Sequence, residues 1–256
     1  MERGFAERYA DLERWHWWFR GRQQILADVL GRRLDGRTPL AIATLGAGPP
    51  EGLAWLVALA GAGGRVVAID TERVHARCLD AGPHYVVGDL GLLPLAPTVF
   101  DAVLALDVLE HLDDDAAALH QAARALRPGG LLLVTVPALP SLWGTQDIVS
   151  HHRRRYTRRT LGALFARAGL PPPAITYFNT LLFPPLAAVR WLARARGLRA
   201  RPASDFAKNR PGLANEVLAR VFALERHLLR HMSLPVGVSL LATLDVGAVQ
   251  CPPRSR

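Results

Sequence analysis

Short apolar segments alternate with helical ones between residues 40 and 137, and this alternation restricts the fold more than any other feature. The apolar segments read LAIATL (40–45), RVVAID (65–70), HYVVGD (84–89), FDAVLALD (100–107) and GGLLLVTVP (129–137). Helices are predicted between them, from about residue 51, from Glu72 and near 113–126. Apolar strands separated by helices are typical of a parallel sheet covered on both faces. The sequence therefore predicts an α/β fold with a doubly wound sheet.

The segments on either side of this core predict its additions. Residues 1–36 have few helix breakers and are expected to form an N-terminal helical cap, followed by one α/β domain over 37–256. After the fifth strand comes a polar loop at 138–157 and a helix that ends at Gly169. Two further strands are predicted at 174–178 and 237–246, with a helical insertion at 179–234 between them. The expected sheet is seven-stranded and mostly parallel.

Composition favours a globular protein in a reducing compartment. Half of the 256 residues are hydrophobic, which allows a sizeable core. Cys78 and Cys251 fit neither a disulfide framework nor a metal pair, and no secretory signal is recognisable at Met1. We therefore predict a cytoplasmic protein. The longest apolar stretches, such as 181–189, are far shorter than the roughly 18 residues that cross a bilayer.

The net charge of +9 leaves two interpretations open. One is an anionic partner, such as a membrane surface or a nucleic acid. The other is compositional bias, since Lys208 is the only lysine and every other basic charge is an arginine.

The segment TLGAGPPEG (44–52) predicts a nucleotide-binding turn. Gly46 and Gly48 follow the first strand, where the lack of a Cβ lets the backbone turn sharply beside a ligand. Asp70 ends the second strand, and ligands of doubly wound sheets bind at the carboxyl ends of the strands. A carboxylate there can accept both ribose hydroxyls. A nicotinamide dehydrogenase, or a bare turn with a capping acid, would share these features.

Polar residues after the next strands narrow the choice. Asp89 follows the third strand, and Asp107, Glu110 and His111 follow the fourth, before the turn RPGG at 127–130. The pattern GD, LP, FD, LEH and RPGG resembles the class I S-adenosylmethionine-dependent methyltransferases, in particular a bacterial, small-molecule (type 11-like) subgroup. The resemblance covers about residues 40–140 in order, and a dehydrogenase would explain neither LEH nor RPGG.

The resemblance extends to the segments HWWFRGRQQIL (16–26), SHHRRRYT (150–157) and FNTLLFP followed by LPVGVSLLA. It implies an antiparallel last strand and S-adenosyl-L-methionine as the cofactor. Asp70 is expected to bind ribose, Asp89 adenine, and the glycine turn the methionine end. The predicted cofactor-binding residues are Gly46, Ala47, Gly48, Asp70, Asp89, Leu90, Asp107 and Arg22.

The chain departs from the family pattern in the glycine turn. Thr44 stands where the family has an acid, which weakens an interaction with the cofactor's ammonium group. Pro50, preceded by Pro49, stands where the family has its third glycine. We expect Arg22, or else Arg20, to grip the cofactor's carboxylate, because a guanidinium can donate two parallel hydrogen bonds.

Methyl transfer is an in-line displacement that depends mainly on positioning, while a hydroxyl, carboxyl or amine acceptor needs a base for its proton. His111, His151 and His152 are candidate bases, and the predicted catalytic residues are His111, His152 and Tyr156. Two alternatives stay open for the LEH segment. Glu110 and His111 could shape a helix start, or Asp107, Glu110 and His111 could hold a divalent cation, as in the quinone-biosynthesis O-methyltransferases. The prediction includes no metal.

Two basic segments bear on the acceptor. Five arginines at 151–159 indicate either recognition of an anionic acceptor or a solvated surface, and without interleaved aromatic residues they do not predict nucleic-acid binding. The apolar and arginine-rich segment 179–201 could lie on an anionic membrane, gate a lipid-linked acceptor, or form a lid.

The predicted function is methyl transfer to a small-molecule or lipid- or saccharide-linked acceptor. One alternative is a degenerate relative that binds cofactor or a partner without catalysis. Another is a peripheral membrane or nucleic-acid binding protein driven by its charge.

Overall fold

A seven-stranded mixed sheet forms the centre of the protein in the computed structural model, which describes residues 10–71, 82–195 and 210–247. The strands are β1 (Ala41–Leu45), β2 (Arg65–Asp70), β3 (His84–Val87), β4 (Phe100–Leu106), β5 (Leu126–Pro137), β6 (Ala174–Phe178) and β7 (Ser239–Val246). Their order is β3-β2-β1-β4-β5-β7-β6. The first five strands are parallel, and β7 runs antiparallel to both β5 and β6. The predicted α/β class and the antiparallel last strand are confirmed.

The helices are α1 (Trp17–Arg33), α2 (Ala54–Ala60), α3 (Asp115–Ala125), α4 (Thr145–Val149), α5 (Arg158–Arg167), α6 (Phe183–Ala195), α7 (Leu213–Ala223) and α8 (Glu225–Leu228). Residues 10–15 are also helical. The helix predicted from Glu72, the first nine residues of the cap, Cys251, and residues 196–209 of the insertion lie outside the described residues.

Both faces of the sheet are covered, as the apolar strands predict. On one face, α1, α2 and α7 bury Trp17, Leu26, Leu56 and Phe222 against the sheet. On the other face, α3 and α5 contribute residues such as Leu119 and Phe165. The core therefore has two layers, and the strand ends between them are free to build a site.

The RPGG segment differs from its prediction as a turn before the fifth strand. β5 already begins at Leu126, where it pairs with Phe100, and the next pair is Leu131 with Ala102. On β5 the two paired residues are separated by four others, whereas on β4 their partners are separated by one. The RPGG segment is therefore an irregular start to β5. Gly129 permits this course with its φ of 77°.

His16 marks a break between residues 10–15 and α1. Its Nδ1 accepts a hydrogen bond from the Trp18 backbone N–H at 3.2 Å and caps α1. Asn215 of α7 spans the break, since its Oδ1 accepts from the Trp17 N–H at 2.9 Å and its Nδ2 donates to the Trp15 carbonyl at 2.6 Å. These bonds fix the N-terminal segment across the sheet.

Across the described ranges, no helix combines the length and the apolar character needed to cross a membrane.

Candidate active site

The glycine turn after β1 packs closely against neighbouring segments. Gly46 and Gly48 have φ angles of 57° and 65°, which favour glycine. A Cβ on Gly46 would lie 2.6 Å from the Val108 side chain, so the turn approaches the segment after β4 as closely as a glycine permits. The Gly48 N–H donates to Asp70 Oδ2 at 2.8 Å, and Tyr85 Oη donates to the Gly48 carbonyl at 2.8 Å. The acid at the end of β2 therefore holds the turn.

Asp89 and Leu90 follow β3 at the same edge of the sheet. Asp89 is exposed, and its Oδ1 accepts a hydrogen bond from the Gly91 N–H at 2.8 Å. Leu90 is buried. The residues predicted to bind cofactor after β1, β2 and β3 thus share the carboxyl edge of the sheet.

The two prolines do not prevent the turn from continuing into a helix. Pro50 begins a short 3₁₀ segment, Pro50–Leu53, where a missing N–H costs little, and α2 follows directly. Thr44 lies within β1 and is buried. The sequence departure therefore changes the charge of the turn more than its shape.

Arg22 and Asp107, both predicted to bind cofactor, form an ion pair at 2.5 Å. Thr135 Oγ1 also donates to Asp107 Oδ2 at 3.1 Å, and the Arg22 guanidinium lies 4.3 Å from the centre of the Trp18 ring. Arg20, the second candidate, instead pairs with Glu216 of α7. Arg22 is therefore the cap arginine that reaches the edge beyond β4.

Glu110, His111 and His152 come together beyond β4. The rings of the two histidines are 4.8 Å apart, and His152 Nε2 lies 3.8 Å from Glu110 Oε1. Burial, assisted by the Asp107 carboxylate, raises the pKa of Glu110 well above its usual range. Burial, assisted by His152, lowers the pKa of His111 to about 4, so its imidazole is neutral at pH 7.

Asp147 orients His152. Its Oδ1 lies 2.9 Å from His152 Nδ1 and accepts from Arg155 Nε at 2.7 Å. Burial opposes ionisation of this carboxyl, but bonds from His152, Arg155 and the Gly144 N–H outweigh it and lower its pKa to about 2. Because an ionised Asp147 accepts, Nδ1 of His152 is the donor, and in the neutral imidazole Nε2 carries the lone pair. The pair has the geometry of an oriented base.

The possible metal ligands that lie together in the structure are not the three residues named for a cation in the sequence, because His152 takes the place of Asp107. Asp107 is engaged by Arg22, whereas the ligand atoms of Glu110, His111 and His152 all lie within 4.8 Å of one another. One carboxylate and two imidazoles fit the ligand chemistry of a divalent transition metal.

Tyr156, the third predicted catalytic residue, lies in the loop between β5 and α5. It is buried, and its hydroxyl donates to Asp115 Oδ2 at 2.9 Å. Burial and the Asp115 charge raise its pKa above the usual range. Arg154 and Arg167 bind the same carboxylate. The contacts of Tyr156 therefore tie the loop to α3, and its catalytic role stays a prediction.

Three arginines of the run contact the protein itself. Arg153 donates to the His111 carbonyl at 2.8 Å and pairs with Asp113, and Arg155 donates to the Ala138 carbonyl and to Asp147. With Arg154 on Asp115, these three side chains bind the protein itself. They hold the loop over the strand ends, and recognition of an anionic acceptor by the run stays a prediction.

Two buried residues beyond β6 were missed in the sequence. Asn179 has a φ of 56° and is buried. Neither Oδ1 nor Nδ2 of its side chain has a hydrogen-bond partner within the described ranges. Glu225 Oε1 accepts from the N–H groups of Thr180 and Leu181 at 2.6 and 2.7 Å, while its Oε2 has no such partner. The strand-end rule that singled out Asp70 and Asp107, applied to β6, would have identified Asn179.

Buried polar atoms without a hydrogen-bond partner, among the described residues, occur on Arg22, Glu110, Asn179 and Glu225. Glu110 and Asn179 follow strands at the carboxyl edge. Arg22 and Glu225 contact residues that follow those strands. Since buried polar groups are normally paired, this edge is the place where a polar ligand would satisfy them.

Comparison with known proteins identifies the fold and its cofactor. Residues 44–134 match the methyltransferase domain family. This region is a class I S-adenosylmethionine-dependent methyltransferase domain. The predicted resemblance and cofactor are thereby confirmed, and the residues matched include the glycine turn, Asp70, Asp107 and Glu110.

Two relatives illustrate how far the similarity extends. A probable S-adenosylmethionine-dependent methyltransferase of Mycobacterium tuberculosis is 32% identical over 164 residues, which are 62% of this chain and 57% of that protein. A malonyl-[acyl-carrier protein] O-methyltransferase of Pseudescherichia vulneris is 28% identical over 173 residues, 62% of this chain and 67% of that protein. The chain thus spans between about half and two thirds of the length of these relatives.

Solved structures agree on the fold. A chain of the complex between the Haloferax volcanii Trm112 methyltransferase activator and a methyltransferase superposes with a TM-score of 0.57 at 18% identity, covering 95% of both chains. Phosphoethanolamine N-methyltransferase 2 of Haemonchus contortus, solved with S-adenosyl-L-methionine, gives 0.54 at 18% identity, covering 88% of this chain and 52% of that one.

Proposed function

We propose that this protein transfers the methyl group of S-adenosylmethionine to an oxygen or nitrogen atom of an acceptor that gives up a proton. The observation that carries the proposal is the orientation of His152, with Nδ1 held by Asp147 at 2.9 Å and Nε2 directed toward Glu110 and His111 at the strand ends. A base positioned beside the cofactor edge of a methyltransferase domain suits such an acceptor.

In this proposal the carboxyl edge binds the cofactor in the order of its strands. The Gly46–Gly48 turn lies along the methionine end, Asp70 accepts the ribose hydroxyls, and Asp89 with Leu90 binds adenine. Arg22 has one nitrogen on Asp107 and a buried Nε without a partner in the described structure, so its second edge suits the cofactor's carboxylate. When bound, the cofactor supplies an electrophilic methyl group on a positively charged sulfur.

His152 accepts the proton of the acceptor. Asp147 stabilises the imidazolium that results, in the manner of an acid that orients a catalytic histidine. His111 stays neutral at pH 7 because of its lowered pKa, and a neutral imidazole can hydrogen-bond the acceptor without adding positive charge beside the sulfonium.

The acceptor is proposed to be a small molecule or a lipid- or saccharide-linked group. Asn179 and Glu225 offer unpartnered polar atoms for its recognition beyond β6. Exposed apolar side chains of α6, namely Val189, Trp191 and Leu192, suit an apolar acceptor or a membrane surface at the described part of segment 179–201. One relative is by name an O-methyltransferase, which is consistent with an oxygen acceptor.

Titration calorimetry with S-adenosylmethionine and S-adenosylhomocysteine tests the cofactor site. We expect micromolar binding of both to the wild type, none of NAD, and a loss of about tenfold or more for Asp70→Asn, because the neutral amide is a poorer acceptor for two ribose hydroxyls. Asp35→Asn is the matched control, since Asp35 is exposed before β1 at the opposite edge. Absence of binding by the wild type would favour the degenerate relative suggested by Thr44 and the two prolines.

A further inference from the structure

Glu13 is a buried carboxylate that the proposed mechanism does not use. It lies in the helical segment before α1 and is 8% exposed. Its hydrogen-bond donor is Gln23 Nε2, at 3.5 Å, and no ion pair joins it to another residue of the described ranges. A buried carboxylate without a cation is costly to maintain, so its position needs a reason.

The position of Glu13 is defined by the turn that follows the two prolines. Its carboxyl group lies against Gly52, where a Cβ would overlap Glu13 Oε2. Gln23 Nε2 reaches both Glu13 Oε2 and the Gly52 carbonyl, at 3.5 and 3.4 Å. The cap thus delivers a negative group directly onto the segment that continues from Gly46 and Gly48.

The end of β1 lacks a negative group, and Glu51, the acid within segment 44–52, is exposed. Thr44, two residues before Gly46, is buried in β1 and carries no charge. Arg22 is near enough to influence Glu13 electrostatically, but its guanidinium is paired with Asp107 at 2.5 Å. Glu13 is therefore a buried acid without an ion pair among the described residues, and it lies against the segment that continues from the turn proposed to bind the methionine end of the cofactor.

We propose that Glu13 binds the ammonium group of the cofactor's methionine moiety and replaces the acid that β1 lacks. The inference rests on the proposed function. It assigns the two ends of the methionine moiety to two cap residues, the carboxylate to Arg22 and the ammonium to Glu13. The N-terminal segment is then part of the cofactor site.

The electrostatics of Glu13 agree with this role. Burial raises its pKa to about 7, with Glu51 adding to the rise and Arg22 opposing it. A bound ammonium group favours the ionised carboxyl, so binding near pH 7 releases protons. Affinity for an ammonium-bearing ligand should therefore fall as the pH drops below 7.

The test compares two ligands that differ at the amino-acid end. S-adenosylhomocysteine carries the ammonium group, and 5′-methylthioadenosine keeps the adenosine and sulfur but lacks the amino acid. By calorimetry we expect Glu13→Gln to weaken the first ligand about tenfold or more, the usual size for a charge-assisted hydrogen bond, and to change the second less than about twofold. The variant should also lose the decline in S-adenosylhomocysteine affinity below pH 7.

Gly52→Ala provides a second route to the same site, because the added methyl would push the Glu13 carboxyl away without changing its charge. It should show the same selective loss of S-adenosylhomocysteine binding, with circular dichroism confirming that the variant is folded. Equal weakening of both ligands by Glu13→Gln, or no weakening of either, would overturn the inference while the proposed function stands. If the wild type bound neither ligand, the proposed function would fail first and this inference with it.

Discussion

At the scale of single residues, Glu13 connects ligand binding to stability. Its pKa is about 7 in the folded protein against an ordinary value of 4.5, so the folded state holds the proton more tightly than the unfolded state. The contribution of Glu13 to stability is therefore complete below about pH 4.5 and is lost as the pH rises through 7. Above that pH the buried charge opposes folding.

We predict that Glu13→Gln stabilises the ligand-free protein at pH 8.5 by about 1 to 3 kcal/mol and changes its stability little at pH 5. The reason is that Gln keeps the shape and the Gln23 contact but has no charge to bury. Urea unfolding at the two pH values measures the difference, with Asp35→Asn as an exposed control. Equal effects at both pH values would contradict the raised pKa. A substitution that stabilises the protein and weakens its ligand would mark Glu13 as a functional residue.

At the scale of elements, the loop between β5 and α5 is organised by Asp147. This carboxylate binds His152, Arg155 and the Gly144 N–H, and Arg190 of α6 lies 3.7 Å from it. Arg153 then joins the loop to the segment after β4. The loop is therefore held on the strand ends by buried charges, and the base it carries has a fixed position.

Two substitutions separate the loop's structure from its chemistry. We predict that His152→Ala lowers kcat for methyl transfer by about 10² to 10⁴ while S-adenosylhomocysteine affinity stays within about twofold, because only the base is lost. Asp147→Asn should in addition destabilise the protein by about 3 kcal/mol, since it leaves the buried Arg155 without its counter-charge.

The assay follows transfer of labelled methyl groups to a panel of hydroxyl, amine and carboxyl acceptors, and urea unfolding gives the stabilities. His227→Ala, a histidine of α8, serves as the control. Unchanged turnover in His152→Ala would show that His152 is not the base and would leave His111 as the candidate.

The elements also show what the sequence could and could not predict. Strand ends were predictable, because a carboxylate after an apolar strand is placed by the topology, and Asp70 and Asp107 lie at the carboxyl edge accordingly. The ion pairs of the arginines were not predictable, because their partners Asp113, Asp115 and Asp147 are distant in sequence or lie in another element. The hydrogen bond from Tyr156 to Asp115 could not be predicted for the same reason, since the two residues are 41 positions apart.

At the scale of the whole molecule, the alternation of apolar strands and helices determined the sheet and both of its covering layers. What it could not supply is the route of the cap across the sheet, since α1 is placed by tertiary bonds such as Asn215 to the Trp17 N–H. Glu13 has no local pattern that marks it either, because its neighbour Gly52 is reached only after the cap folds back.

The exposed apolar side chains of α6 lead to a prediction for the molecule as a whole. Val189, Trp191 and Leu192 are 68%, 50% and 50% exposed, on a chain with a net charge of +9. Apolar side chains on a basic protein favour anionic bilayers, where burial and charge attraction act together. We expect the protein to co-sediment with vesicles containing phosphatidylglycerol, less so as salt rises, and only weakly with phosphatidylcholine vesicles.

The double variant Trp191→Ser with Leu192→Ser should reduce that binding about tenfold or more, since each exposed apolar side chain contributes roughly 1 kcal/mol or more when buried. Leu228→Ser, at an exposed apolar position of α8, is the matched control and should bind like the wild type. Equal loss of binding in both variants would indicate non-specific adsorption through exposed apolar side chains in general. If binding weakens with salt but is unchanged in the double variant, charge alone accounts for the attraction. The apolar side chains of α6 would then be available to cover the acceptor.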